Sequence, residues 1–347
     1  MKGPGMLLSK NPFHAWYKRA TVRTQPRRVL EPGEQGQLFF KPELVAPAQH
    51  PLIVQRGQGL VEELLIRHLH TYLNFTESLE HEVVNDVAYA IGRGRMDLGL
   101  PEDLKLQAFK LYVDEANHTL FSADLQQQVV EATGVTPTLV GTPRFLKQLR
   151  RIINSVSRED AWLVKVFFTI VSETLISGTL TKVPRDPRVV PAVRAVLKDH
   201  ADDEAIHHAY FAGLLQWLWP RLTEQQRRIV GPLLPEFILG FLEPDYDAVR
   251  KNLLAAGIPR REAGAVIEDC YPREEVLKGV RQASAVTVTH FYNTGVFEDD
   301  SIGEAFERKG IPPKRAVGGI DRIAVVELFE LVPDKGLVDV EKPSPAK

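Results

Sequence analysis

An all-α fold built on a four-helix bundle is what this sequence predicts, and three observations carry the expectation. Apolar residues recur at helical spacing from Gly59 to about Phe297. Pro101, Gly134, Pro143, Pro191 and Pro220 fall where such helices would start or stop. Seven carboxylates and imidazoles (Glu80, Glu115, His118, Glu173, His200, Glu204 and His207) occupy helix positions that a buried face would otherwise give to leucine.

In chain order, residues 1–58 carry scattered prolines and no sustained period, so they read as an irregular wrapping segment. A first long helix is expected over 60–91, ending before Gly92-Arg93-Gly94. A second starts after Pro101 and ends by Gly134. A third spans about 143–180 with an interruption near Ser155 to Ser157, and a fourth runs from about 189 to 219. Shorter helices follow over 222–240, 245–256, 259–269 and 273–294. The helical block, 59–298, reads as one domain. Residues 299–347 form a partly flexible extension with a strand-like piece at 323–329.

Composition narrows the function classes. The chain has 347 residues, 44% hydrophobic and 25% charged, with a net charge of −2, which favours neither nucleic acid nor an anionic membrane as partner. The single cysteine, Cys270, excludes an internal disulfide framework and suits a reducing compartment. No signal-peptide pattern opens the chain, and Lys165 and Glu173 interrupt the best candidate for a membrane span of roughly 20 apolar residues. The expectation is a cytoplasmic enzyme without nucleic-acid or membrane partners.

Helix faces separate candidate ligands from solvated charges. The stripe Leu69, Leu73, Thr76, Glu80, Val84, Val87 keeps a period near 3.6, with Glu80 in a core position. Glu82 lies about 200° around the helix and should be solvated, while Glu77, one turn away, competes with Glu80 as first ligand. Glu173 and Lys165 are the only charges in an otherwise apolar run from Ala161 to Ser177, where an ionised carboxylate costs several kcal/mol unless paired or bound to metal. Glu115 and His118 share a face, as do His200, Glu204 and His207. Two Glu-x-x-His motifs plus one Glu from each of two further helices is the inventory of a bundle holding two metal ions. Asp114 and Asp203 precede the motifs, and each is expected to orient the histidine of the opposite motif. Four carboxylates with three imidazoles suit iron, with manganese as a substitute, better than zinc. Such a centre can bind O2 between its metals and form a peroxo-type oxidant.

The order Glu, Glu-x-x-His, Glu, His-x-x-x-Glu-x-x-His resembles the di-iron N-oxygenases of the AurF-like (p-aminobenzoate N-oxygenase) family. The extra histidine, His200, separates that family from related six-ligand bundles, and the intervals of 35 residues from Glu80 to Glu115 and 27 from Glu173 to His200 look familial. The likeness covers about 60–215 with specific motifs and the later helices more diffusely. It implies a ferritin-like fold and two iron ions held by all seven residues. It implies oxidation of a small molecule's primary amine to hydroxylamine and onward to nitroso or nitro, with O2 as co-substrate. A role in secondary metabolism and a homodimer also follow from the likeness. The amine, free or carrier-tethered, is not named by the sequence.

The substrate pocket is expected beside Tyr72, Thr76 and Ser177, each one or two turns from a ligand. Gly57-Gln-Gly59 lacks the spacing of a dinucleotide fingerprint, so electrons are expected from a separate reductase or small reductant. His81-Glu82-Val83-Val84-Asn85 lacks the second histidine of a zinc-protease motif, and His208 points about 100° from His207, so it is expected behind the ligands or at the surface. The rival readings are a di-iron oxygenase acting on carbon, by hydroxylation or desaturation, and a non-catalytic metal-binding helical protein.

Overall fold

Apolar periodicity becomes an all-α bundle in the computed structural model, which describes residues 11–31, 37–96, 99–138, 141–175 and 178–313. Ser177 and the strand-like 323–329 lie outside the described residues. Helix α1 runs Gln58–Leu79, passes through a π-helical turn Glu80–Val84 and resumes as Asn85–Gly92. Helix α2, Glu102–Thr133, opens with Glu102 and Asp103, which complement the exposed N–H groups of its first turn. It closes at Gly134, whose φ of 70° is the left-handed stop that glycine adopts without strain. Helices α3, Arg144–Ile153, and α4, Ala161–Thr174, flank the anticipated break at Ser155 to Ser157. Helix α5, Pro191–Leu218, starts on its proline and ends ahead of Pro220.

The bundle pairs α1 with α2 and α4 with α5, and α2 crosses against α5. Helix α4 ends at Thr174, earlier than the expected boundary near 180, with Leu175 in extended conformation. Thr169, Ser172 and Thr174 all donate their hydroxyls to carbonyls of the preceding turn, a competition that weakens helical continuation. The freed carbonyl of Thr174 accepts a hydrogen bond from Thr287 Oγ1 at 2.8 Å, on the later helix Ala285–Asn293. The stretch Ala161–Lys182 is long and apolar enough to cross a membrane by length and composition alone, but 80% of its apolar window is buried inside the fold. Burial against protein accounts for its apolarity.

Among the described residues past 298 the chain forms the helix Asp300–Arg308, whose Ile302, Ala305 and Phe306 are buried; Phe306 packs on Phe291 and Phe297. Among the described residues there is no β-strand, only an isolated parallel bridge between Leu38 and Val189. The apolar core is in two parts. One joins Leu64, Leu69 and Leu73 of α1, Leu125 and Val129 of α2, and Val193 to Leu197 of α5. The other joins Val84 and Val87, Leu104 and Leu111, most of α4, and Tyr210 to Leu218. Between these two clusters every long helix carries its polar residues.

Candidate metal centre

Four helices deliver side chains to that intervening layer: Glu80 from α1; Asp114, Glu115 and His118 from α2; Glu173 from α4; His200, Asp203, Glu204 and His207 from α5. All are buried except Glu204, whose side chain is 20% exposed. The i, i+3 spacing of each Glu-x-x-His motif puts acid and imidazole on one face. Glu80 arrives by another route. It opens the π turn, where Asn85 donates to the Glu80 carbonyl and one extra residue fits into the helix. Glu77 is half-buried and stands outside the cluster, and Glu82 is exposed and paired with Arg150 at 2.7 Å.

His118 Nδ1 lies 2.7 Å from Glu115 Oε2 and 3.6 Å from Glu204 Oε1. His207 Nδ1 lies 2.9 Å from Glu115 Oε1 and 3.3 Å from Glu204 Oε1. His200 turns its other nitrogen inward, Nε2 being 3.1 Å from Glu204 Oε1 and 3.6 Å from Glu80 Oε1. Three overlapping sets follow: Glu80, His118, His200 and Glu204; Glu115, His118, Glu204 and His207; Glu80, Glu115 and Glu173. Within each, one donor atom per residue lies within 4.8 Å of the others. All seven candidate ligands are thus gathered.

The donors fit cations. Glu80 Oε2, Glu115 Oε1 and Glu173 Oε2 are buried with no hydrogen-bond partner, a costly condition for carboxylate oxygens. Glu115 Oε1 and His207 Nδ1 are close yet lack the geometry of a hydrogen bond, as expected of two lone pairs meant for a shared ion. Four glutamates balance two divalent ions.

Without cations, protons take their place. Burial, then the charges of Glu204, Glu115 and Glu80, hold Glu173 well above the usual carboxylate range, and burial with Glu115 pushes Glu80 up to about 8. Burial acts the same way on Glu115 and Glu204, but the imidazolium charges, His207 first, outweigh it and hold both below that range. Burial opposes charge on His118 and His207 as well; the carboxylates around them, Glu115 first, overcome it and keep both protonated well above the usual imidazole range.

The outer nitrogens are backed crosswise. His118 Nε2 is 3.2 Å from Asp203 Oδ2, and His207 Nε2 is 3.3 Å from Asp114 Oδ2. Each aspartate therefore meets the histidine of the opposite motif, which leaves both Nδ1 atoms facing the carboxylates. The N-terminal segment reaches these aspartates too: Trp16 Nε1 donates to Asp114, and Thr21 donates both its backbone N–H and its hydroxyl to Asp203. Phe13 stacks over His207 with ring centroids 6.0 Å apart. Sequence reasoning missed Phe13, Trp16 and Thr21, because an aperiodic, proline-rich stretch gives no face to read. It also missed that His208 meets His290, Nε2 to Nε2 at 3.0 Å, where burial and then His290 bring the His208 imidazole down to about 4.

Of the candidate pocket residues, Thr76 is buried one turn before Glu80, and Tyr72 lies one turn before Thr76, its phenol pushed upward chiefly by burial. Tyr72 also lines a cavity of about 310 Å³ with His68, Phe75, Phe145, Thr179 and Phe241.

Residues 13–295 match the profile of a family described as P-aminobenzoate N-oxygenase AurF. The chain is 25% identical over 266 residues to a 4-aminobenzoate N-oxygenase of Streptomyces thioluteus, an alignment covering 74% of this chain and 76% of that protein.

Proposed function

The chain belongs to the p-aminobenzoate N-oxygenase AurF family, and from that premise we propose that it is a di-iron oxygenase acting on the primary amine of a small molecule. The observation that carries this reading is the buried set of four glutamates and three histidines, with three carboxylate oxygens lacking a hydrogen-bond partner. Glu80, Glu115, Glu173 and Glu204 would hold two iron ions with His118, His200 and His207, manganese being an alternative occupant. Bound iron would supply the redox chemistry that activates O2.

The protein's own residues then have distinct tasks. Asp114 and Asp203 hold a proton on Nε2 of His207 and His118 and so keep Nδ1 directed inward. The apolar clusters on either side exclude water from the layer, which strengthens every charge interaction within it. Glu204, the least buried of the seven, would mark the side from which a small molecule approaches, with Tyr72, whose phenol feels the charges of Glu80 and Glu204, and Thr76 lining that approach. The first oxidation consumes amine, O2, two electrons and two protons and yields hydroxylamine and water. Further rounds lead to nitroso and nitro products. The electrons come from an external donor, and the carrier state of the amine follows from which substrate binds.

The test is product analysis. Iron-loaded protein with a reductant and O2 is offered a panel of aryl and aliphatic amines, 4-aminobenzoate included, and products are read by mass spectrometry. Gain of oxygen at nitrogen supports the proposal. Oxygen at carbon, or tightly bound iron with no O2 uptake by the reduced protein, would overturn it.

A further inference from the structure

We propose that the N-terminal segment Phe13 to Thr24 is a working part of the metal centre, with Trp16 and Thr21 as positioning residues that hold the two histidine-backing aspartates. The proposal rests on the metal reading of the seven buried residues and goes beyond it, because no helix of the bundle contributes these contacts.

The argument starts from what the segment buries. Phe13, Trp16, Ala20 and Thr21 turn inward, each 6% exposed or less, while Tyr17 between them stays 63% exposed. Two four-residue helical turns, Trp16–Arg19 and Thr21–Thr24, are separated by Ala20 in an extended conformation (φ −53°, ψ 135°). That bend leaves the Thr21 N–H without a carbonyl of its own turn and directs it at Asp203, 3.2 Å away. Hydroxyl and N–H of one residue thus converge on one carboxylate. On the other arm a single indole N–H is shared between both oxygens of Asp114, 2.8 Å from each. Two relays result: Trp16 to Asp114 to His207, and Thr21 to Asp203 to His118.

The segment is fastened at its far end as well. Arg28 forms two hydrogen bonds to Asp199, at 2.7 and 2.9 Å, and Arg27 two to Asp124, at 2.9 and 2.7 Å. Gln128 accepts from the Leu30 N–H at 2.8 Å and donates to the Arg28 carbonyl at 3.0 Å. These anchors lie on α2 and α5, the two helices that carry the Glu-x-x-His motifs. The family match also begins at Phe13, where the segment begins.

A carboxylate whose own position is fixed holds an imidazole in one orientation and one tautomer, and loss of such an outer partner typically costs about 10–100-fold in metal affinity. The two arms are unequal. Trp16 is the segment's sole donor to Asp114, whereas loss of the Thr21 hydroxyl leaves the backbone N–H on Asp203. Removal of the indole N–H should therefore matter more.

The test uses the full-length protein loaded with Co(II), comparing wild type with Trp16→Phe, Thr21→Val and Thr21→Ser. Metal release to a chelator is timed, and the exchangeable, paramagnetically shifted N–H protons of His118 and His207 are followed by NMR. Trp16→Phe is expected to speed release by about 10-fold and to move the His207 N–H signal. Thr21→Val is expected to have a smaller effect confined to His118, and Thr21→Ser to restore wild-type behaviour. Where Trp16→Phe does not fold, benzothienylalanine at position 16 keeps the indole's shape and lacks its N–H. Wild-type release rates with unmoved N–H signals in folded variants would overturn the proposal. So would equal disturbance of both histidines together with a matching loss of stability in the metal-free protein, since that is the mark of packing alone. Wild-type protein that takes up no Co(II) or Fe(II) would defeat the metal reading itself; normal uptake with unchanged release in the variants would defeat only the role of Trp16 and Thr21.

Discussion

On the α2 and α5 side of the polar layer, His118 and His207 are each backed by an aspartate that is itself held by the N-terminal segment, whereas on the α1 and α4 side Glu80 and Glu173 each keep an oxygen without a partner. The first side is an ordered chain of donors and acceptors; the second is held by burial and by the shape of two helices. The contrast suggests a division of labour. Two of the three imidazoles, His118 and His207, are fixed, and the carboxylates opposite them would be left free to change how they meet a cation.

The comparison breaks most severely if a central ligand is removed. Glu115→Ala, which takes away the carboxylate nearest both His118 and His207, is expected to drop bound iron from about two ions per chain to one or fewer, with loss of turnover; elemental analysis after desalting reads it. Unchanged iron content would mean that the layer is not the metal site. Next in size is the effect of pH on loading. His118 and His207 hold protons well above the usual imidazole range and Glu80 up to about 8, so cations must displace protons to bind. Affinity should therefore climb as pH rises toward about 8, with protons released into weakly buffered solution in step with metal added. PH-independent affinity with no proton release would contradict the assignment.

Asp114→Asn and Asp203→Asn sharpen the contrast from the ordered side, each expected to weaken metal binding by about 10–100-fold while Glu77→Gln leaves it unchanged. From the other side, Glu173→Gln tests the metal-free state. Glu173 keeps its proton at a pH where the unfolded chain, with its value near 4.5, has lost it. Folded protein then binds more protons than unfolded, so stability falls as pH rises above the ordinary carboxylate range. The glutamine variant escapes that loss: its metal-free form should equal wild type near the lower limit and exceed it by about 1–3 kcal/mol near pH ~8, as read by thermal or urea unfolding. A less stable variant at the higher pH would show that the carboxylate is already compensated. The smallest effect belongs to Glu82→Gln, which severs an exposed pair with Arg150 and should cost less than about 1 kcal/mol, with metal content unaltered.

Much of this was legible in the sequence for one reason. Helical period translates spacing directly into direction, so Glu115 with His118, His200 with Glu204 and His207, and Glu173 inside its apolar run can each be assigned to an inward face from spacing alone. The aspartates followed from the mirrored motifs. What the pattern did not carry was contact across great sequence distance: Trp16 meets Asp114 over 98 residues and Thr21 meets Asp203 over 182, from a stretch with no period at all. The early end of α4 escaped for a different reason, since it depends on which carbonyls three hydroxyls choose. The helix Asp300–Arg308 is short, and its apolar face of Ile302, Ala305 and Phe306 was hidden by its charged neighbours.

The π turn at Glu80–Val84 has a consequence of its own. It makes α1 one residue longer than regular hydrogen bonding requires, so the helix holds two rotational settings, one before the turn and one after. Winding the same residues as a regular α-helix would give better local order and a worse protein. Everything from Asn85 onward would swing by about 100° relative to Leu73 and Thr76. Val84, Val87 and Ile91 could not then pack in their cluster while Glu80 faced the layer. An irregularity of one residue is what lets one continuous helix serve an apolar core and a charged layer at once.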